Sequence, residues 1–160
     1  RQRQMCIRDR LYTNILLLAF IFVNPLCYSD QDHDADVMNE SASEKAKVFI
    51  VEPIDNQIFT IEQAKKINVV FGSKNILIKP AGELVPNSGH HHLLINVDLL
   101  PDLSMPIPAS DQFIHFGKGQ ESTVINLPKG RHKLQLILGN HVHIPHKPPV
   151  MSDPIYVEVK

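Results

Sequence analysis

The sequence predicts an all-β fold, an immunoglobulin-like β-sandwich of about seven or eight short strands. Three observations carry that expectation. Short runs of β-branched and other apolar residues alternate with polar ones, the pattern of strands with one face in a core. Turn-forming residues interrupt these runs every 8–15 positions. Finally, the capping-box pattern of Thr60 and Gln63 precedes a stretch, 61–66, long enough for one helical turn only.

The strands follow in order. A run at 48–51 stops at Pro53. One at 67–71 ends at Gly72 and Ser73, and one at 75–79 stops at Pro80. The 92–97 run follows a turn built from Pro86, Asn87, Ser88 and Gly89, and 113–116 precedes Gly117 and Gly119. Thr123, Ile125 and Leu127 alternate before Pro128 and Gly130. Leu134, Leu136 and Leu138 alternate after it, and Ile155, Val157 and Val159 alternate at the end. The pair 121–127 and 131–138, joined through Pro128, Lys129 and Gly130, predicts a hairpin. The paired cysteines and core tryptophan of true immunoglobulin domains are absent, so only the architecture carries over.

A chain of 160 residues, 43% hydrophobic and 21% charged, is neither collagen-like, coiled-coil nor a disordered polymer. Sixteen basic against seventeen acidic residues leave no basic surplus, which argues against a nucleic-acid partner. The apolar run at 15–23 is too short for a bilayer, which needs roughly 20 residues. Followed by Asn24 and Pro25, it predicts the core of a secretory signal cut after Ser29, leaving no transmembrane anchor. Residues 1–10 resemble translated sequencing-adapter sequence and join the signal in a segment, 1–29, set apart from the domain. Residues 30–46 are acidic and poor in large apolar side chains, the composition of a flexible tether. The domain proper is expected at 47–160.

Residues 1–29 hold both cysteines, Cys6 and Cys27, so the remainder has no thiolate nucleophile, thiolate ligand or disulfide. Histidine and carboxylate are left to do chemistry. Eight of the nine histidines lie between positions 90 and 146, concentrated in His90, His91 and His92 and in His141, His143 and His146. On an extended strand residues i and i+2 share a face, so His90 pairs with His92 and His141 with His143. Two such pairs on neighbouring strands would offer four neutral imidazoles to copper or zinc. His146, stiffened by flanking prolines, and His115 would complete or orient the set. His91 has the parity of Leu93 and Ile95, which predicts a core position with hydrogen-bonded ring nitrogens. His132 has the parity of Leu134 and reads as structural.

Other motifs are silent. Gly117 and Gly119 follow a strand but precede no helix, so they are no phosphate loop. No serine sits in a nucleophile elbow, and no carboxylate pair has glycosidase spacing. The 99–108 stretch is a long apolar loop, expected to cover one end of the sandwich or to face a partner.

Three segments together, 80–95, 114–120 and 139–152, resemble DUF4399, a family of small exported bacterial domains of unknown function. The triple histidine at 90–92 and the His146, Pro148, Pro149, Val150 block carry the resemblance. It implies a periplasmic or secreted location in a Gram-negative envelope, and no activity. Two functional readings stand at this point: a copper- or zinc-binding domain using His90, His92, His115, His141, His143 and His146, or a non-catalytic module binding an envelope protein or glycan, with structural histidines. A third, enzymatic reading is similar in outline to copper–zinc superoxide dismutases, whose disulfide cysteines are missing here.

Overall fold

Alternating apolar residues need two layers to hide between, and the computed structural model supplies them; it describes residues 42–43 and 45–160. The signal and nearly all of the tether expected from the sequence lie outside the described residues. One sheet has three strands in the order β1 (Lys47–Glu52), β3 (Ile67–Lys74), β7 (Ser122–Ile125). The other has six: β2 (Gln57–Phe59), β9 (Ile155–Val159), β8 (Gly130–Gly139), β5 (Ser88–Ile95) and β4 (Leu77–Ile78) in order, with β6 (Phe113–His115) also on β5. The described residues thus hold nine strands, slightly more than expected, because β2 adds a short parallel pairing to β9; the expected 75–79 strand is the two-residue β4, parallel to β5. Among these residues no helix is long and apolar enough to cross a membrane.

Inward-facing residues of both sheets make the main core. Val48, Ile67, Val69, Phe71 and Ile125 of the small sheet meet Leu93, Leu134, Leu136, Leu138, Val157 and Val159 of the large one. At about 25 cal/mol per Å² of apolar area removed from water, such residues dominate the stability of a cysteine-free domain. The single helix among the described residues, α1 (Ile61–Ala64), is one turn long, and Thr60 and Gln63 close the expected capping box. It buries Ala64, whose carbonyl accepts from the Leu127 amide.

The expected hairpin is not formed. β7 pairs with β3 in the small sheet, whereas β8 pairs with β5 and β9 in the large one. The 126–129 connection therefore arches between layers, and Ile125 and Leu134 belong to the same core from opposite sheets. Period-2 alternation is the same for strands side by side and for strands face to face, so the pattern alone did not separate the two.

A second, smaller core lies on the outer face of the large sheet. Leu94, Val97, Ile107 and Ile137 are buried there, with Leu100, Leu103, Phe113 and Met151 packed against them. The long apolar loop thus covers a sheet face through Ile107 instead of capping an end. As a result β5 is buried on both faces over Ser88–Leu94. That burial sets the environment of the histidines.

Candidate metal centre

Strand parity sends His90, His92 and Leu94 to the outer face of the large sheet and His91, Leu93 and Ile95 to the inner one. The register then selects the neighbours. His92 lies opposite His115 of β6 on one side and Ile137 of β8 on the other, and His90 lies opposite Gly139. Directly opposed side chains on one face are in contact. His115 therefore reaches the His90–His92 pair by strand pairing, and not by sequence proximity.

The fourth ring comes from the turn after β8. The Asn140 carboxamide oxygen accepts from the Val142 and Ile144 amides, both at 3.0 Å. The Asn140 amide donates to the Ile144 carbonyl, and the His143 amide to the Asn140 carbonyl. Closing this turn puts His143 at φ 70°, the one non-Asn, non-Gly residue with positive φ among the described residues. A left-handed non-glycine residue costs on the order of 1–3 kcal/mol and persists only where its surroundings enforce it. Here the enforcement includes a bond from the Ile107 amide, anchored in the second core, to the His143 carbonyl.

The four rings converge. Ring centroids are 4.9 Å apart for His90 and His92, for His90 and His115, and for His92 and His115. His143 lies 4.7 Å from His115, 5.0 Å from His90 and 6.2 Å from His92. One nitrogen from each of His90, His92 and His115 falls within 4.8 Å of the others, so these three could hold one metal ion. The Nε2 atoms of His90 and His92 are 3.1 Å apart. With bonds of about 2.0–2.1 Å, that spacing corresponds to an angle of roughly 100° at an ion, suited to tetrahedral or tetragonal coordination.

Burial and neighbouring imidazoles disfavour the charged forms of His90, His92 and His115. Burial, then His115 and His143, push His90 down to about 3. Burial, then His90, His115 and His143, push His92 to about 3 as well. His115 is lowered by burial and by His143. Among the described residues no carboxylate lies in ion-pair contact with these four histidines. Protons therefore compete weakly for the buried pair, and neutral imidazole is the form that binds a metal. An all-nitrogen donor set suits copper or zinc, whereas magnesium and calcium take oxygen.

The family model described as "Domain of unknown function (DUF4399)" matches residues 69–160. The chain belongs to the DUF4399 family. All four converging rings of this DUF4399 domain lie inside the matched stretch. No curated protein and no solved structure matches the chain.

The remaining histidines of the DUF4399 domain fall elsewhere. His141 lies inside the same turn as His143, yet its ring makes no ring contact with the four. The expected His141–His143 pair needed an extended strand, and a hydrogen-bonded turn destroys the i, i+2 relation. The His146 ring is buried with Nε2 against Gly89, 3.0 Å from where a Cβ would stand there, and contributes to lowering His90. His132 is structural, its ring nitrogens meeting the Asn96 side chain at 3.0 Å and the Pro128 carbonyl at 2.8 Å. His91 enters the core as expected, 5.1 Å from the Phe71 ring, but neither ring nitrogen has a hydrogen-bond partner. The inner face offers apolar side chains in place of acceptors, and burial pushes His91 down to about 4.

Three residues beside the rings carry no ligand signal in the sequence: Asn140, which holds the turn, and Gly117 and Gly139, where a Cβ would stand 2.3 Å from His115 Cε1 and 3.0 Å from His92 Nε2. Asn140 was detectable as a turn former beside His141. The glycines carry no signal until the rings above them are placed.

Proposed function

We propose that this DUF4399 domain is an exported metal-ion-binding domain, holding copper or zinc through His90, His92 and His115 with His143 as fourth ligand. The observation that carries the reading is the convergence of four imidazoles from β5, β6 and the 140–144 turn without a carboxylate. The low basicity of the buried pair supports it further. The first 29 residues, read as a secretory signal, support an envelope location where copper and zinc are met outside the cytoplasm. His141 is left out of the ligand set, and His146 is assigned to packing against Gly89.

Titration calorimetry of the metal-free protein with Cu(II) and Zn(II) tests the reading. One equivalent is expected to bind far more tightly than to a histidine-tag peptide. His92→Ala should remove that binding, while His141→Ala should retain it. Tag-like binding by the wild type would refute the proposal.

A second reading draws on the 3.1 Å contact between the Nε2 atoms of His90 and His92, which is also hydrogen-bond distance. Here the rings brace one another, and the domain is an envelope interaction module for a protein or glycan. It requires a melting temperature indifferent to added copper or zinc, whereas specific binding raises it.

A further inference from the structure

Metal-binding histidines are commonly aimed by a hydrogen bond on the ring nitrogen that does not bind the metal. That device is missing from the buried pair: Nδ1 of His90 and Nδ1 of His92 have no hydrogen-bond partner. The rings must be aimed by shape, and glycines shape the space around them. The His115 ring folds back over Gly117 so closely that a Cβ there would stand 2.3 Å from Cε1 and 2.7 Å from Nε2. On the other side, a Cβ on Gly139 would stand 3.0 Å from His92 Nε2 and 3.2 Å from the His143 Cα.

Resting on the metal-binding reading, we propose that Gly117 is a positioning residue of the metal centre, its bare backbone being the seat that holds the His115 ring in ligand position. Gly139 does the same for His92 and the His143 backbone. Relieving a 2.3 Å approach requires a movement of about 1 Å, set against a tolerance of about 0.2 Å in a metal–nitrogen bond. The ring is what moves, because the backbone around Gly117 is pinned. Phe116 is buried against Phe71 at 4.9 Å and its amide donates to the His91 carbonyl at 3.0 Å. The Gly117 carbonyl accepts from the Ala81 amide at 2.9 Å. Gly117 has no positive φ, so an alanine meets no backbone strain and its effect is confined to the ring.

The test is a double-mutant cycle with Gly117→Ala and His115→Ala, read by Cu(II) and Zn(II) calorimetry and by imidazole nitrogen NMR of the metal-free proteins. Gly117→Ala is expected to weaken metal binding about 10–100-fold, the range for lost orienting partners. The metal-free melting temperature should stay near wild type, and in the His115→Ala background Gly117→Ala should cost nothing more. Wild-type affinity in Gly117→Ala, or an equal loss without the His115 ring, would overturn the proposal. If the wild type binds no metal, the metal-binding reading fails by itself; the NMR arm still decides whether Gly117 places the ring, and unmoved His115 resonances would overturn the seat. Should Gly117→Ala fail to fold, the double variant decides: folding restored by removing the ring supports the seat, and continued failure overturns it.

Discussion

Acid should unfold the metal-free domain well before it protonates the native state. His90, His91 and His92 sit at about 3, 4 and 3 in the fold, against an ordinary 6.5. Because the folded values are depressed, the unfolded chain binds more protons than the native one below neutrality, and stability falls with falling pH. The stabilisation from keeping these rings neutral is fully present above about pH 6.5 and is lost as pH drops from there toward 3–4. Between pH 7.0 and 5.5 each ring contributes a loss of about 1.3 kcal/mol, or about 4 kcal/mol for three. A domain of this size has about 5–15 kcal/mol in total. With a urea slope of about 2 kcal/mol per molar, the midpoint should drop by roughly 2 M. Urea titrations at the two pH values in the presence of a chelator, followed by far-ultraviolet circular dichroism because the chain has no tryptophan, measure it. A midpoint that stays put or rises would refute the reasoning, since it would mean the three rings are protonated in the native state or not buried.

Two further outcomes are expected. His91→Leu removes two unpaired ring nitrogens from the core, so it should raise stability by about 1–3 kcal/mol and reduce the acid sensitivity by about a third; a destabilised variant in the same urea assay would show that His91 has a buried partner. Asn140→Ala removes the acceptor for two turn amides and releases His143 from its left-handed conformation. It should weaken copper or zinc binding about 10-fold and leave the melting temperature less affected than Leu136→Ala, which creates a core cavity worth about 2–5 kcal/mol.

How much was legible can be judged residue by residue. The parity of Leu134, Leu136 and Leu138 and of Val157 and Val159 announced their inward faces, and the structure buries all five. His90 and His92 on one face followed from the same rule. His91 was legible as a core residue but not as an unpaired one, because parity says where a side chain goes and not what waits there. The 141–143 segment was misread as extended, since a His-x-His spacing looks the same in a strand and in a turn; the side chain of Asn140 decided between them.

The amino-acid sequence by itself determined the β class, the one-turn helix, the inward parity of the strands and the restriction of a cysteine-free domain to histidine and carboxylate chemistry. Those properties are local: they depend on residue type and on spacing over a few positions. Only the tertiary structure decided that β7 and β8 face each other across a core, that β6 lays His115 beside His92, that a turn delivers His143 and leaves out His141, and that Gly117 and Gly139 lie where the rings need room. These are outcomes of strand register and sheet order, set by burying many side chains at once, and no spacing along the chain encodes them.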